Sequence, residues 1–203
     1  MYGKMQICVC GWYYFPKFFD KLRLAVKQGY DAVVVRHQIG DTKGIRFVDR
    51  ENTGLEWGAY SYFLENLWDG SSNVLFTQDD NEVNDDEFWN WCSGIKEDIC
   101  CVFNNQSEAA YNSYAHGRML FTSSKFLSAA KERGGFWYDK GNTGFIVQGH
   151  YTTKKPPKGC GHHNAGIHHF VQFVARIRRE VPELRKRTII CNPNVKLGRR
   201  GVL

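Results

Sequence analysis

An α/β protein with a mostly parallel sheet and helices on both faces is the fold class that the sequence predicts. Two observations carry it. From residue 5 to about residue 104, strand-like and helix-like stretches alternate, the rhythm of strands joined by crossover helices. In addition, "DAVVVRH" is a continuous β-branched run rather than an alternating one, as strands buried on both faces read.

The elements follow in order. "MQICVC" is a short first strand ended by Gly11. "PKFFDKLRLAVKQG" starts a helix at Pro16, stops at Gly29 and places Phe19, Leu22 and Val26 on one face. "DAVVVRH" is the second strand, and "GIRFVDRENTG" holds a third short strand and a polar turn. "LEWGAYSYFLENLWDG" carries Tyr60, Phe63, Leu64, Leu67 and Trp68 at helical spacing and ends at Gly70. These rings read as core rather than as a stacking platform.

"NVLFTQ" is the next strand. Asn84 then caps a helix with Asp85, Asp86 and Glu87 in its first turn, and "DICCVF" returns as a strand. Past residue 104 the rhythm changes. "SSKFLSAAKERGG" predicts one helix, "FWYDKGNTGFIVQG" a hairpin turning at Asp139 to Asn142, and "YTTKKPPKGCGHHNAG" a mobile loop. "IHHFVQFVARIRRE" predicts a last helix that buries Ile167, Phe170, Val171 and Val174.

At 203 residues, with 42% hydrophobic residues and six tryptophans, the chain suits one domain. No window approaches the ~20 apolar residues of a membrane span, and "MQICVCGWYYF" breaks at Gly11 without forming a signal-peptide core. A soluble, cytoplasmic protein is therefore expected. Seven cysteines with no CxxC pair read as reduced core thiols. From Arg176 onward the chain carries +7, against +6 for the whole. That basic end, with Arg176, Arg179, Arg185, Lys186, Arg187, Arg199 and Arg200, points to a polyanionic partner, or to a solvated tail.

In an open α/β sheet, ligands bind beyond the carboxyl ends of the strands. Gly11-Trp12-Tyr13, His37, "ENTGLEWG" and the cluster Gln78 to Asn81 all follow predicted strands. Aromatic rings beside a glycine can stack on a base, and hard carboxylate oxygens suit Mg²⁺ or Mn²⁺ bridging two phosphates. The chain holds no GxxxxGK[ST] and no GxGxxG, so neither a P-loop nor a Rossmann dinucleotide site is predicted. Cys160 and the histidines at 162, 163, 168 and 169 lack a zinc-finger spacing. His168 and His169 read as helix residues, whereas His162 and His163 read equally as ligands or as surface.

The run from "ICVCGWYY" through "VVVRH" and "NTGLEWGAYSYFL" to "VLFTQDD" resembles the GT-A type glycosyltransferases, whose acidic metal motif ends a strand of a nucleotide-sugar-binding half. The three-residue frame here is Gln78-Asp79-Asp80, with glutamine where an aspartate is usual. The resemblance implies one domain over 1–203, with a nucleotide-sugar-binding half at about 1–105 and an acceptor half at about 106–203.

It further implies Asp80 as direct ligand of Mn²⁺ or Mg²⁺, with a late histidine, His162 or His163, as an added ligand. Asp79 and Gln78 would face the sugar or ribose. Gly11, Trp12, Tyr13 and His37 would line the nucleotide pocket, and Asn52, Gly54 and Glu56 the ribose, diphosphate or sugar. If the reaction inverts, a carboxylate must take the acceptor proton. Asp139 is the first choice and Glu108 the second, although Asp139 reads equally as a turn residue.

Size, layout and the basic end also look like the phage TET-associated glycosyltransferases that modify 5-hydroxymethylcytosine in DNA. That implies a UDP-sugar donor, a DNA acceptor and, if the chain is phage-encoded, the host cytoplasm. A surface or lipid-linked saccharide as acceptor, or a non-enzymatic nucleic-acid-binding module, are the alternatives.

Overall fold

The computed structural model describes residues 4–51, 55–103, 119–132, 179–184 and 186–196. Strands β1 (Met5–Gly11), β2 (Asp31–Arg36), β3 (Phe47–Asp49), β4 (Asn73–Gln78), β6 (Ile99–Phe103), β7 (Met119–Thr122) and β8 (Lys186–Cys191) form one sheet. Its order is β3-β2-β1-β4-β7-β6-β8. The pairs β1–β2, β1–β4, β2–β3 and β6–β8 are parallel, and only β7 runs against its neighbours. Helices α1 (Pro16–Lys27), α2 (Leu55–Asn66), α3 (Phe88–Ser93) and α4 (Ser124–Glu132) surround it. The small strands β5 (Glu82–Val83) and β9 (Val195–Lys196) pair antiparallel as a second sheet. The predicted mostly parallel α/β architecture is what the chain forms.

The two faces of the sheet follow from strand alternation. Cys8 and Phe76 are paired across β1 and β4, and Phe76 packs on Tyr60 and Phe63 of α2, with ring centroids at 4.8 and 5.9 Å. On the other face, a Cβ at Gly11 would lie 2.7 Å from the Val34 side chain and 3.1 Å from the Tyr14 hydroxyl, and Tyr14 stacks on Phe19 of α1. Helix α3 shares the α1 side: Trp89 Nε1 donates to the Lys21 carbonyl at 3.0 Å, and Tyr30 donates to Asn90 Oδ1 at 2.7 Å. So α1 and α3 cover one face and α2 the other.

Local chemistry explains the boundaries. Helix α1 opens on Pro16, whose missing N–H costs nothing at that position. It closes on Gly29, with φ +94°, where the amides of Gly29 and Tyr30 donate to the carbonyls of Val26 and Ala25. Its buried side is Phe18, Phe19, Leu22 and Ala25. Val26, predicted on that side, is 43% exposed; the stripe runs one position earlier than expected.

Helix α2 stops at Asn66, not at Gly70. Beyond it, the Asp69 carboxylate gathers the amides of Ser71 and Ser72 (2.9 and 2.7 Å), the Ser72 hydroxyl (2.7 Å) and the Lys4 ammonium (2.7 Å). That turn competes successfully with helix. Nor does Asn84 cap α3. The helix begins four residues later, at Phe88, after a turn in which Asp85 Oδ1 accepts the Glu87 amide at 3.0 Å, while the Asn84 amide pairs with the Asn194 carbonyl at 2.8 Å.

Burial pushes the Asp69 carboxyl up, but the Lys4 ammonium and the serine donors overcome it and hold the group well below the ordinary carboxylate range. The sign follows from linkage: a depressed folded pKa stabilises above the unfolded value near ~3.9, and that contribution is lost as pH falls. Asp69→Asn is expected to cost about 1–2 kcal/mol at pH 7, allowing for partial exposure. In urea unfolding, the deficit should shrink from pH 5 to pH 2; a pH-independent deficit would refute the ionic origin.

The described cysteines are free thiols, and all but Cys191 are buried, as reduced core residues would be. The predicted hairpin around Asp139, the loop 151–166 and most of the last predicted helix lie outside the described residues, although Arg179 and Glu180 are helical. Strands β7 and β8 were not legible as such. "MLFT" is a short apolar run that becomes a central strand, and "KRTIIC", inside the basic end, is an edge strand.

Candidate functional site

Because β1, β2, β3 and β4 are parallel, their carboxyl ends meet at one edge of the sheet. The ladder continues one residue past several strands: Asp79 N–H donates to the Cys10 carbonyl at 3.3 Å, His37 N–H to Gly11 at 3.1 Å, and Arg50 N–H to Arg36 at 2.9 Å. Gly11, His37 and the Gln78 to Asn81 cluster are thereby held in one row. Phe103 and Met119, the described flanks of residues 104–118, stand at the same edge, since Met119 pairs with Thr77 and Phe103 with Cys191.

Asp79 and Asp80 are adjacent in sequence but have different surroundings at that edge. Asp79 is fully buried. Its Oδ2 accepts three consecutive backbone N–H groups, from Trp12 (2.9 Å), Tyr13 (2.8 Å) and Tyr14 (2.6 Å). Successive amides converging on one point form an anion-binding concavity, and here a carboxylate of the chain itself fills it. Burial pushes the Asp79 carboxyl up to about 6, against the pull of those three amides and with a further push from Asp80. Its Oδ1 is buried with no hydrogen-bond partner among the described residues.

Asp80 (3% exposed) and Glu56 (4% exposed), the latter in the first turn of α2, both act on the Tyr60 hydroxyl of that helix. Burial raises the Cys10 thiol pKa, and the charges of Glu56, Asp79 and Asp80 raise it further. Burial likewise raises the Tyr60 hydroxyl, with Glu56 and Asp80 adding to it. Three carboxylates thus share the electrostatic surroundings of Cys10. Like charges in low dielectric repel strongly, so a bound cation would find a favourable field here. Among the described residues, however, no three acidic, imidazole or thiol side chains are arranged to hold an ion by themselves. Oxygens from a ligand, or side chains outside the described residues, would have to complete the coordination.

The aromatic loop after β1 is closely built. Tyr14 has φ +56°, costly for a bulky residue. Its hydroxyl donates to the Gln38 carbonyl at 2.6 Å, and Gln38 Nε2 donates back to the Trp12 carbonyl. Gly40 lies under the Tyr14 ring, where a Cβ would come within 2.2–2.4 Å of three ring atoms. The Trp12 and His37 rings sit 6.4 Å apart at 57°. Tyr13 and Phe15 are in ring contact at 5.8 Å and are partly exposed, and Ile39 at the facing loop tip is 90% exposed. Gly40→Ala is expected to cost about 1–3 kcal/mol through overpacking. A thermal melting point unchanged from wild type would show that Tyr14 does not need the space.

Gly11, Trp12, Tyr13, His37, Glu56, Gln78, Asp79 and Asp80, all predicted site residues, are therefore brought to this edge. Asn52, Gly54, Glu108, Asp139, His162, His163, Arg176, Arg185, Arg199 and Arg200 lie outside the described residues. Arg179 is exposed. Lys186 and Arg187 open β8, with Lys186 paired to Ile99 at the amino end of β6. They start at the edge opposite the carboxylates, about 17 Å away along a six-residue strand. Sequence reading missed Tyr14, Gln38 and Gly40. The one available signal was a glycine just past the second strand, marking a close backbone approach.

Bracing comes from the C-terminal end. Asn192 follows β8, accepts the Asn194 amide at 2.9 Å, and turns the chain back to pair Val195 with Val83. Asn194 Nδ2 donates to Asp85 at 3.0 Å. The loop carrying Asp79 and Asp80 is thus fixed behind as well as in front.

No family profile and no curated protein sequence matches the chain. Among solved structures it is similar to the apo-form glycosyltransferase GlyE of Streptococcus pneumoniae TIGR4. The TM-score is 0.47 at 7% identity, over 94% of this chain and 45% of that one. It is also similar to HddC from Yersinia pseudotuberculosis, with a TM-score of 0.39 at 10% identity, over 63% of this chain and 79% of that one. The chain spans less than half the length of GlyE. At these scores the functional reading rests on the chain's own residues.

Proposed function

We propose that the chain is a metal-dependent glycosyltransferase, moving a sugar from a nucleotide-diphosphate sugar, with UDP-sugar as the favoured donor, to a hydroxyl acceptor. The observation that carries this reading is the buried pair Asp79-Asp80 at the carboxyl end of the central strand β4, between an aromatic loop and the Glu56 turn. A simple binding module has no need of two carboxylates buried side by side, each costly to desolvate.

Asp80 would hold Mn²⁺ or Mg²⁺ together with donor phosphate oxygens, with His162 or His163 as an added ligand. When bound, such an ion neutralises charge on a leaving diphosphate. Trp12, Tyr13 and His37 would flank the nucleoside, with Gly11 leaving room for the loop. The Asp79 Oδ1 and Gln78 would face a ribose or sugar hydroxyl, and Asn52, Gly54 and Glu56 the remaining donor polar groups. Asp139, or else Glu108, would take the acceptor proton if the stereochemistry inverts.

The favoured acceptor is 5-hydroxymethylcytosine in DNA, on the strength of the C-terminal charge of Arg176, Arg179, Arg185, Lys186, Arg187, Arg199 and Arg200. The test is incubation of 5-hydroxymethylcytosine DNA with a panel of UDP-sugars and Mn²⁺, read by nucleoside mass spectrometry. A gain of one hexose mass is expected; no added mass with any donor would exclude the DNA acceptor.

A second reading keeps the enzyme and moves the acceptor to a lipid-linked or surface saccharide. The exposed Tyr13, Phe15 and Ile39 favour it, because they surround the same edge. Among the described residues no helix is long and apolar enough to cross a membrane, so contact would be peripheral. Sedimentation with anionic vesicles, without DNA retention, would favour this acceptor.

A further inference from the structure

We propose that Asp79 is a positioning residue for the nucleotide pocket, presetting the Trp12–Tyr14 loop through its Oδ2 rather than holding the cation given above to Asp80. The inference rests on the nucleotide-sugar reading and divides its acidic pair into two tasks.

Three facts lead here. One carboxylate oxygen takes the N–H groups of Trp12, Tyr13 and Tyr14 at 2.6–2.9 Å. Those amides precede α1, which begins at Pro16, so neither the β1 ladder nor the helix supplies them an acceptor. Without Asp79 they would lose their acceptor, a costly state for part-buried backbone. Second, the held conformation is intrinsically unfavourable, since Tyr14 sits at φ +56° and tends to relax unless its surroundings over-determine it. Third, the loop is clamped from the far side as well, by Gln38 on the Trp12 carbonyl and by Tyr14 on the Gln38 carbonyl. An amide concavity of this kind elsewhere cradles a phosphate. Here it is filled from within, so the loop offers a ligand its rings and not its N–H groups.

Asp79 therefore links strand β4 to the position of Trp12 and Tyr13. An oxygen that already accepts three hydrogen bonds has little capacity left for a cation, which would repel the same N–H dipoles. Asp80, whose charge acts on Tyr60 of α2 together with that of Glu56, accepts none of these three amides.

Hydrogen exchange on the full chain tests this directly, comparing wild type with Asp79→Ala and Asp79→Asn. Asparagine retains an acceptor oxygen for the three amides. In Asp79→Ala, protection at residues 12–14 should fall about tenfold or more, while Ile7 to Val9 in β1 stay protected. Calorimetry with UDP and Mn²⁺ should show roughly tenfold weaker binding, the cost when about one molecule in ten holds the competent loop. Asp79→Asn should keep exchange protection at residues 12–14 within about threefold of wild type, and its UDP binding, weakened only by the altered Oδ1 position, should keep the wild-type Mn²⁺ concentration dependence.

Unaltered protection at 12–14 in Asp79→Ala would overturn the proposal. So would an asparagine variant that weakens UDP binding as much as alanine does and shifts the Mn²⁺ dependence, the behaviour of a direct ligand. If Asp79→Ala does not fold, the asparagine variant decides alone. Wild type that binds no UDP with Mn²⁺ would instead refute the nucleotide-sugar reading, and the exchange data would still decide whether Asp79 holds the loop.

Discussion

Asp80→Asn is expected to lower sugar transfer by about 10³-fold or more, equivalent to roughly 4 kcal/mol of transition-state stabilisation, while leaving the melting temperature at or above that of wild type. The two effects have one origin. Asp80 is buried beside Asp79, and their mutual repulsion contributes to the raised Asp79 carboxyl. Neutralising Asp80 removes one source of repulsion on the buried Asp79, so the resting protein should not lose stability as the reaction loses rate. Asparagine nearly preserves shape, which separates charge from packing. Transfer assays and thermal unfolding on one preparation provide the check. Full activity would remove Asp80 from the metal site, and a large fall in melting temperature would mean that its carboxylate supports the fold.

Val195→Asp should produce the largest loss of stability at a distance from the chemistry. Val195 is fully buried and pairs with Val83, three residues beyond Asp80. Placing a carboxylate there removes apolar burial and buries an unpaired charge, together about 3 kcal/mol or more. For a chain of this length that corresponds to a fall of roughly 6–12 °C. Because β9 braces β5 directly behind the acidic loop, UDP–Mn²⁺ affinity should weaken in the surviving folded fraction. An unchanged melting point would show that the β5–β9 pairing is dispensable.

Much of the nucleotide-side half was legible because it consists of local signals. Pro16 and Gly29 mark the ends of α1 through backbone geometry alone. The run from Val33 to Val35 is a strand buried on both faces because three consecutive β-branched residues have no polar side to present. Other boundaries were set by distant partners. Asn84 has the chemistry of a cap, yet its amide meets a carbonyl 110 residues away, at Asn194, and α3 starts later. "MLFT" is too short to declare itself, and it becomes a strand by filling the gap between β4 and β6.

The basic end shows the same division. Its charge is visible in composition, but Lys186 and Arg187 belong to β8, on the edge opposite the carboxylates. A polyanion held there would have to reach about a strand length to the site. Charge counting locates a partner's sign, not its path.

By itself the sequence determined the α/β class, the strand that ends in Gln78-Asp79-Asp80, and the row of residues that parallel strands bring to one edge. These depend on hydrophobic pattern and turn chemistry, which act over a few residues. Only the tertiary structure decided how the acidic pair divides. Side chains of neighbouring residues leave a strand end in opposite directions, and what each meets depends on elements 65 residues away for Asp79 and Tyr14. Desolvation makes an unmet carboxylate costly, and Asp79 is met by three loop amides, whereas Asp80 shares the surroundings of Tyr60 with Glu56.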